Sequence, residues 1–488
     1  MTSSKLYKAS SVKAIDQKFS EDFGLTGFDL MKRAARAVVD EVVARHFTSR
    51  RVLVLCGAGN NAGDGLLVAT LLADRGWPVE VVLVTDTDKY SAAANKALQA
   101  CRASQANFVD YPSTIDADVL VIDALLGVGF QSPMRRGYQS VITRVNASEA
   151  AVVAVDIPSG LDPDTGLEGE ACMRATLTVT FLVDKLGLHQ GAGPKVAGEQ
   201  VLASLGVPDE LLTDFSPEAV NVLSAAPLPK RAASVHKGNF GHLLVVAGNL
   251  GYGGACVLAT EAALKSGVGL LSVVSREEHR TGLMVRCPEA MFVAADDKAS
   301  IAGSLEKCDA VLIGPGLGQD GWARNVLRQV LASNRPLVVD ADALNLVAEG
   351  PAPKAKMIMT PHPKEAARLL GQTKVESNRL QVLEALERRY QAVIVLKGAE
   401  TLVASETDIS INVWANPGMA TGGMGDVLGG VIGALLAQGL PRYQAACLGV
   451  AHHSRAGLLA VERVGEVALL ASDVTAEIGV SLAGISHG

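Results

Sequence analysis

A glycine-dense segment with the sequence GAGNNAGDG occupies residues 57–65 of this 488-residue chain, directly after an apolar, β-branched run. Such a turn between a strand and a helix lets backbone N–H groups approach an anionic group, which the helix dipole also favours. The pattern fits the dinucleotide fingerprint G-x-G-x-x-G/A, with Asp86 or Asp88 near the position of a ribose-binding acid. Taken alone, the turn is compatible with a dehydrogenase-type site and equally with a structural role.

Two acidic residues end later strand-like runs of the same half. Asp123 leads into LLGVGF, and Asp156 leads into IPSGLD. Because ligands bind outside the carboxyl ends of strands in open parallel sheets, we expect both carboxylates to meet the glycine turn at one edge. A single strand-end Asp more often caps the next helix or turn, so the prediction of a site depends on the three segments together.

The second half carries NPGMATGGMGD over residues 416–426, followed by the apolar helical run VLGGVIGALLAQG. Glycines before an apolar helix make an anion-binding nest, and Asp426 at the helix start can act as a base on a hydroxyl held beside the anion. The alternative is that Asp426 is an ordinary helix cap. Further glycine turns follow strand-like runs at residues 314–318 (GPGLG) and 397–401 (KGAET).

Polar side chains also close two other strand-like runs, in TPHPKE (360–365) and VVDADALN (338–345). A lone His is usually structural, and His362 becomes a site candidate only with its neighbours. Glu365 is either a solvated first-turn residue or a carboxylate that holds Mg²⁺ through water. We expect Asp340, Asp342 and Asn345 to lie near a bound phosphate or metal ion, but we assign them no role. We interpret His452 and His453 as structural.

The elements that must position these residues alternate along the chain. Short β-branched runs with helical patterns between them predict parallel strands joined by crossover helices. The pattern lapses between residues 206 and 237, where four prolines mark a linker. We therefore predict two α/β domains, over 1–215 and 225–488. The predicted strands are 51–56, 79–84, 118–123, 151–156, 176–181, 242–248, 270–275, 309–314, 336–340, 357–360 and 392–397.

Composition limits the class of partner. Lys and Arg total 44 against 51 Asp and Glu, and no basic block is present, which argues against nucleic acid or an anionic membrane and favours small molecules. No signal or membrane segment is recognised. The seven cysteines are far apart and lack metal-ligand spacing, which predicts reduced thiols and a cytoplasmic location.

The first half resembles the NAD(P)H-hydrate epimerase domain, through GAGNNAGDG, DALLGVGF, VDIPSGLD and the opening segment KLYKASSVKAIDQ…LMKRAARAV. The resemblance implies a Rossmann-like three-layer sandwich that interconverts the R and S forms of a nicotinamide cofactor hydrated at C6. It implies a potassium ion near Asn61, Asp123 and Ser159, and oxygen ligands suit such a hard cation. The hydrate contacts that it implies are Asn60, Asn61, Ala62, Gly63, Asp64, Gly127, Val128, Gly129, Phe130, Gln131, Ser132, Pro133 and Asp156, with Asp156 catalytic.

The second half resembles the ribokinase-like NAD(P)H-hydrate dehydratase family, through TPHPKEAARLL, LKGAET, NPGMATGGMGDVLGG and HKGNFGHLLVVAG. The resemblance implies phosphoryl transfer to the hydrate's hydroxyl, after which phosphate leaves and NAD(P)H is restored. For the fused form it implies ADP as donor, with magnesium, giving AMP. The implied hydrate contacts are Ala255, Gly318, His362 and Asp426, and the implied nucleotide contacts are Lys397, Gly398, Ala399, Glu400, Thr401 and Gly425.

The two resemblances together imply a bifunctional enzyme that repairs hydrated NADH and NADPH, with Asp156 and Asp426 as the catalytic residues. The expected partners are the two hydrates (NADHX and NADPHX), ADP and further copies of the chain. The alternative is a kinase for a small hydroxymethyl substrate, fused to a non-catalytic cofactor-binding module or a redox dinucleotide domain. A stable phosphorylated product, or hydride transfer, would favour that alternative.

Overall fold

A computed structural model describes residues 5–484 except 46, 48–50, 216–219, 233 and 375–377. The chain divides into two compact units, residues 1–220 and 221–488. The division falls in the interval left between the two predicted domains, of which residues 216–219 lie outside the described part. The predicted linker also contains a short helix, Asp209–Thr213, and a short strand, Val220–Val222.

The first unit contains one parallel sheet. Besides the two-residue strand β1 (Lys5–Leu6), which is not part of this sheet, the unit has the strands β2 (Arg51–Cys56), β3 (Val79–Leu83), β4 (Asn107–Phe108), β5 (Val119–Ala124), β6 (Ala151–Val155), β7 (Leu177–Phe181) and β8 (Glu199–Ala203). Its helices are α1 (Ala9–Phe23), α2 (Gly27–Ala44), α3 (Asn60–Ala73), α4 (Ala92–Ala103), α5 (Arg136–Asn146), α6 (Gly193–Val196) and α7 (Asp209–Thr213). The strand order is β4-β3-β2-β5-β6-β7-β8, and each pairing is parallel.

Helices cover both faces of this sheet, because the side chains of each strand alternate between two cores. Val52 and Val54 of β2 pack with α1 to α4, whereas Leu53 and Leu55 pack with α5. The first unit is therefore the three-layer α/β sandwich predicted from the sequence.

The second unit has a larger sheet. Its strands are β9 (Val220–Val222), β10 (His242–Val246), β11 (Leu270–Ser275), β12 (Met291–Ala294), β13 (Ala310–Ile313), β14 (Leu337–Val339), β15 (Met357–Met359), β16 (Val393–Leu396), β17 (Leu402–Ala404) and β18 (Ile409–Ile411). Its helices are α8 (Gly253–Lys265), α9 (Arg280–Arg286), α10 (Lys298–Lys307), α11 (Gly321–Ala332), α12 (Ala341–Ala348), α13 (Pro363–Leu369), α14 (Arg379–Tyr390), α15 (Met424–Ala437), α16 (Arg442–Val464) and α17 (Ala471–Ala483). The strand order is β9-β18-β17-β16-β15-β14-β13-β10-β11-β12.

One part of this sheet departs from the predicted parallel arrangement. Strand β17 runs antiparallel to both β16 and β18, whereas the other pairings are parallel. The connections 397–401 and 405–408 are too short for a crossover helix, so the chain can only turn back as hairpins. The sequence predicted neither β17 nor β18, because the prediction looked for strands that alternate with helical patterns and no helix separates β16, β17 and β18.

Helix α15 is almost wholly buried from Val427 to Ala437, which accounts for its uninterrupted apolar sequence. A Cβ added at Gly430 would lie 2.3 Å from the carbonyl oxygen of Ala259 in α8, so the two helices pack backbone against backbone. This close packing fixes the amino end of α15, where Asp426 lies.

The two-domain α/β architecture is confirmed, with a Rossmann-like first unit and a ribokinase-like second unit. The seven cysteines are free, and six of them are buried. Within the described residues, no helix combines the length and apolar character that crossing a membrane requires.

Candidate active sites

The glycine turn after β2 lies directly against the turn after β5. A Cβ added at Gly57 would lie 1.9 Å from the carbonyl oxygen of Leu125, so only glycine allows this approach. Gly59, with φ 97°, then precedes the first turn of α3. The sheet reverses its winding between β2 and β5, which is where ligands bind in folds of this kind.

A cavity of about 550 Å³ opens at this edge of the first unit. It is lined by eight of the predicted residues: Asn60, Asn61, Asp64, Gly127, Val128, Gly129, Phe130 and Asp156. Five predicted contacts do not line it: Ala62, Gly63, Gln131, Ser132 and Pro133.

Local contacts explain these five positions. Ala62 and Gly63 are buried in the first turn of α3, where a Cβ on Gly63 would lie 2.8 Å from the sulfur of Met31. Ser132, in the loop 131–133, donates its hydroxyl to Glu170 at 3.0 Å. Asp86 and Asp88, considered as ribose ligands, are exposed and also lie outside the cavity lining.

Asp156 follows β6 with φ 71°, a left-handed conformation that is uncommon for a residue with a side chain. Its Oδ1 accepts the backbone N–H of Phe181 at 3.1 Å and the ammonium of Lys185 at 2.5 Å. Lys185 is fully buried and also donates to the carbonyl oxygen of Phe181 at 2.7 Å. Lys185 was not among the residues predicted from the sequence, although an acidic–basic pair directly beyond a strand end (Asp184-Lys185) was a usable signal.

Two further acids, Asp16 on α1 and Asp64 on α3, line the same cavity. Burial, the charge of Asp156 and the charge of Asp16 raise the pKa of Asp64 well above its usual range. Burial and Asp156 also raise the pKa of Asp16, against the opposing effect of Lys185. The cavity therefore contains two carboxyl groups that retain their protons more strongly than usual, beside the ion pair of Asp156 and Lys185.

Asp123 and Ser159 form a buried pair at the same edge. Ser159 donates its hydroxyl to Oδ1 of Asp123 at 2.6 Å and its backbone N–H to Oδ2 at 2.8 Å. Burial raises the pKa of Asp123 to about 6, although these hydrogen bonds oppose the shift. Asn61 lies nearby, since a Cβ on Gly127 would lie 3.3 Å from its side chain, and its buried Nδ2 has no hydrogen-bond partner among the described residues. The donor set consists of oxygens around one buried carboxylate, which fits a hard monovalent cation.

In the second unit, side chains after β14, β15 and β16 meet at the carboxyl edge of the sheet. Asp340, 1% exposed, accepts the hydroxyl of Thr360 at 2.7 Å and the ammonium of Lys397 at 2.8 Å on the same oxygen, Oδ1. Glu365 Oε2 lies 4.0 Å from the same ammonium. Burial opposes the charge of Lys397, but Asp340 and Glu365 outweigh that effect and raise its pKa.

His362 and Glu365 form a capping box at the start of α13. Nδ1 of His362 accepts the backbone N–H of Lys364 at 3.0 Å, and Glu365 Oε2 accepts the backbone N–H of His362 at 2.8 Å. Burial lowers the pKa of His362, and the charge of Lys397 lowers it further. Burial also raises the pKa of Glu365 to about 7. The imidazole is therefore held neutral with its Nδ1 occupied.

Asp426 lies in the first turn of α15, beyond Gly423, whose φ is 91°. No side chain caps the helix at Gly423, so its first backbone N–H groups are left for a ligand or water, as an anion nest requires. Burial and the charge of Asp340 raise the pKa of Asp426 to about 7, against the effect of Lys397. A Cβ on Gly425 would lie 3.3 Å from Nζ of Lys397, so the nest and the lysine adjoin.

Two other predicted contacts follow β10 and β13. Gly318, with φ 71°, donates its backbone N–H to Asp342 at 2.8 Å. A Cβ on neighbouring Gly316 would lie 3.1 Å from Cβ of Ala255 at the start of α8. Asp342 thus has a positioning role that the sequence did not assign.

The loop 397–401 is held by Arg379, which donates to the carbonyl oxygens of Leu396 at 3.1 Å and Lys397 at 3.3 Å. Arg379 also pairs with Glu400 at 3.4 Å, while Thr401 donates its hydroxyl to the carbonyl oxygen of Gly398 at 3.0 Å. The carboxylate of Glu400 is therefore paired with Arg379. Arg379 was not among the residues predicted from the sequence.

The two histidines interpreted as structural differ. His452 contacts the hydroxyl of Ser481 and the carbonyl oxygen of Ala226, both at 3.0 Å, as a structural residue would. His453 is buried, and its Nε2 has no hydrogen-bond partner among the described residues. Burial and the charge of Lys397 lower its pKa to about 4, so His453 adjoins the site as a neutral imidazole.

A larger hollow of about 1250 Å³ lies at the opposite, amino-terminal edge of the second sheet, near Asp309, Pro336 and Lys356. It contains none of the predicted site residues. The chemistry-bearing side chains of the second unit are concentrated at the carboxyl edge, as the topology requires.

The fold and the two sites define a two-domain α/β enzyme, with an acid–base cavity in one unit and an anion nest beside buried carboxylates in the other. The model of the family described as YjeF-related protein N-terminus matches residues 27–187, and that of the NAD(P)H-hydrate dehydratase family matches residues 243–479. A Bifunctional NAD(P)H-hydrate repair enzyme Nnr of Coxiella burnetii is 39% identical, covering 96% of this chain and 97% of its own. Its Escherichia coli K12 counterpart is 40% identical, covering 96% and 92%.

Among solved structures, an ADP/ATP-dependent NAD(P)H-hydrate dehydratase from Bacillus subtilis, co-crystallised with ATP and Mg²⁺, is 31% identical with a TM-score of 0.49. It covers 53% of this chain and 94% of its own. The chain belongs to the family of bifunctional NAD(P)H-hydrate repair enzymes. The predicted combination of an epimerase and a dehydratase is confirmed over the kinase alternative.

Proposed function

We propose that the cavity of the first unit epimerises the R and S hydrates of NADH and NADPH, with Asp156 as the base. The observation that carries this proposal is the position of Asp156, whose Oδ1 is held by Lys185 and Phe181 while the residue lines the cavity. The proton of the C6 hydroxyl passes to Asp156, the C6–N1 bond breaks and C6 becomes an aldehyde. The electron pair of that bond goes to N1, which is conjugated with the ring carboxamide. Rotation and closure on the other face return the proton to oxygen and invert C6.

We propose that Asn61, Asp123 and Ser159 hold a potassium ion. Support comes from the buried carboxylate of Asp123, the hydroxyl of Ser159 bonded to it and the side chain of Asn61, which lies against Gly127 in the loop after β5. When bound, the ion supplies a fixed positive charge that favours the ionised form of Asp123 and orders the loops after β5 and β6. Gly127, which packs on Asn61, connects this set to the hydrate cavity.

We propose that the second unit dehydrates the S hydrate at the expense of ADP, with Mg²⁺, giving NAD(P)H, AMP and phosphate. Asp426 takes the proton of the hydrate hydroxyl as the hydroxyl oxygen bonds to the β-phosphorus of ADP and AMP leaves. The C6–O bond then breaks, and the departing phosphate takes a proton from C5 as the ring double bond of NAD(P)H forms. The nest at Gly425 and Lys397 hold the phosphates, and positioning supplies most of the acceleration. Mg²⁺ retains its waters and uses few carboxylates, so Glu365 is a suitable outer ligand. Ala255, Gly318 and His362 bind the hydrate, and residues 397–401 bind the nucleotide.

The same proposal covers the predicted contacts outside the cavity lining, the cellular location and the oligomeric state. Ala62, Gly63 and residues 131–133 lie outside the cavity lining, so we assign them an indirect part in hydrate binding. The free cysteines support a reducing, cytoplasmic location. We retain a homo-oligomer as an expectation, which light scattering of the purified protein tests directly.

A mixture of R and S hydrates of NADH, with protein, ADP, magnesium and potassium, tests the whole proposal. Full conversion to NADH, read from the reduced-nicotinamide absorbance, is expected for the unmodified protein. Asp156→Asn is expected to convert only the S fraction promptly, and Asp426→Asn is expected to equilibrate the isomers with little NADH formed. Parallel assays with ADP and ATP decide between the donors. Accumulation of a phosphorylated hydrate without NADH would contradict the proposal.

A further inference from the structure

The carboxylate of Asp156 has two unequally occupied oxygens. Oδ1 accepts the ammonium of Lys185 at 2.5 Å, the backbone N–H of Phe181 at 3.1 Å and the hydroxyl of Thr180 at 3.5 Å. All three donors come from β7 or the turn that follows it. Oδ2 is therefore the oxygen available to a molecule in the cavity.

The two members of the ion pair differ in exposure. The side chain of Lys185 is 0% exposed, whereas that of Asp156 retains 12%. Both residues line the cavity, but the side chain of Lys185 is covered while that of Asp156 is partly open, so a ligand meets the carboxylate first. Lys185 also donates to the carbonyl oxygen of Phe181, so Asp156 and that carbonyl fix its ammonium from two sides.

A buried charge without a partner is strongly disfavoured, and removing one member of a buried pair leaves such a charge behind. Other ionisable side chains face the pair: Tyr7, Lys13 and Asp16 on the amino-terminal segment, Asp64 on α3, and Asp184 and His189 beyond β7. Within the described part of the chain, Asp156 is the one acid paired with Lys185.

We infer that Lys185 is a positioning residue of the epimerase, which supplies the countercharge of the Asp156 carboxylate, holds its Oδ1 and so directs Oδ2 to the C6 hydroxyl. This inference rests on the proposed role of Asp156. It goes beyond that role, because it assigns a function to a residue from a different strand end, 29 positions further along the chain. Its consequence is that the charge of Lys185, and not only its hydrogen bonds, is required for epimerisation.

Two variants separate charge from hydrogen bonding. Lys185→Met removes both, whereas Lys185→Gln keeps two N–H donors without the charge. Epimerisation should fall in both variants by about 10²–10⁴-fold in kcat, the typical contribution of a general base. The acidic side of the kcat/KM profile should move about 1–3 pH units upward, because the carboxylate loses an opposite charge. Lys185→Arg should restore part of the activity, and KM should change little.

Lys195→Met, which removes an exposed lysine ten residues away, is the matched control and should behave like the unmodified protein. Dehydration of pure S hydrate by each variant shows that the second unit is intact, and near-ultraviolet circular dichroism shows that the first unit is folded. Wild-type kcat and an unshifted pH profile in folded Lys185→Gln would overturn the inference. If Lys185→Met does not fold, Lys185→Gln alone decides.

A double variant distinguishes this inference from the assignment of Asp156. Adding Lys185→Met to Asp156→Asn should cause no further loss, because both act through one carboxylate. A multiplicative loss would overturn the inference, since Lys185 would then act independently. Retained epimerisation in Asp156→Asn alone would instead overturn the base assignment and the role of Lys185 with it. Inactive Asp156→Asn together with fully active Lys185→Met would overturn only the role of Lys185.

Discussion

Nζ of Lys397 lies 2.8 Å from Oδ1 of Asp340, so the ends of β16 and β14 are joined across the end of β15. Thr360, at the end of β15, donates to the same oxygen at 2.7 Å. Three consecutive strands thus converge on one buried carboxylate, which holds the lysine beside the nest at Gly425. This pair acts on two other carboxyl groups of the dehydratase site, those of Glu365 and Asp426. The charge of Asp340 raises the pKa of both groups, and the charge of Lys397 lowers it.

The first prediction is that Asp156→Asn abolishes epimerisation and spares dehydration of the S hydrate. The amide keeps an acceptor for Lys185 but cannot take a proton, so the base is lost. Because the buried ammonium of Lys185 also loses its countercharge, the melting temperature should fall, and epimerisation is measured per folded molecule. Isomer ratios followed by chromatography measure the effect. Unchanged conversion of R to S in the variant would refute the role of Asp156.

The second prediction concerns the ion. Asp123→Ala should weaken potassium binding and epimerisation together, because Asp123 carries the formal charge among the three proposed ligands. Potassium titration of the epimerase activity is the measurement. Crystals grown with potassium should show an anomalous peak beside Asp123 in the unmodified protein, and its absence would count against the site. Asp116→Ala, which removes an exposed partner of Arg51, is a matched control and should leave potassium dependence unchanged.

The third prediction concerns pH. The acid limb of the dehydratase profile should lie at about pH 7, because Asp426 must be ionised to act as a base and its pKa is raised to about 7. Lys397→Met removes a charge that opposes this shift, so the limb should move to higher pH. Glu365 has a pKa of about 7 as well, and Glu365→Gln separates the two groups. A limb that disappears in Glu365→Gln would assign it to Glu365 and contradict the prediction.

The sequence predicted eleven of the strands, because buried parallel strands are short β-branched runs with a clear signal. It also placed Asp123 and Asp156 at the correct edge, since the carboxyl ends of parallel strands share one side of the sheet. It placed Asp426 at the start of an apolar helix, where the structure has it. It could not predict the pair of Asp156 and Lys185, which depends on β6 and β7 being neighbours. The role of Asp340 was missed for the same reason, because strand order determines that Thr360 and Lys397 meet it.

The hairpin of β17 and β18 was missed because no helical pattern separates these strands, whereas the predicted strands alternate with helices. Gln131, Ser132 and Pro133 follow the cavity-lining Phe130 directly in sequence, but the chain turns away there and Ser132 bonds Glu170. A sequence motif therefore predicts which segment lines a site. It predicts less well the residue at which that segment turns away from the site.

The fourth prediction is that Gly425→Leu weakens nucleotide binding by about tenfold or more, in line with the usual cost of about 1–3 kcal/mol for overpacking. An added side chain would enter the nest and press on Lys397, since even a Cβ lies 3.3 Å from its Nζ. Calorimetric titration with ADP and magnesium measures the effect. Gly303→Leu in α10 is the matched control, because a Cβ there meets nothing within 4 Å. Equal affinities in the two variants would show that the nest is not the phosphate site.

The last prediction is that Asp426→Asn lowers the kcat of dehydration by about 10²–10⁴-fold, the usual contribution of a general base. Nucleotide affinity should change little, because the nest and Lys397 remain. The same change should raise the melting temperature at pH 8. The pKa of Asp426 is raised in the folded protein to about 7, so ionised Asp426 disfavours folding progressively as the pH rises from about 4 to 7.

An uncharged Asn removes that unfavourable charge, so the gain in melting temperature should be larger at pH 8 than at pH 5. A helix cap would behave in the opposite way, since its loss costs about 0.5–2 kcal/mol of stability and leaves turnover per folded molecule intact. Melting curves at the two pH values, combined with kcat per folded enzyme, therefore separate a catalytic Asp426 from a structural one. A variant that melts early and turns over normally would make Asp426 structural and leave the phosphoryl acceptor without its base.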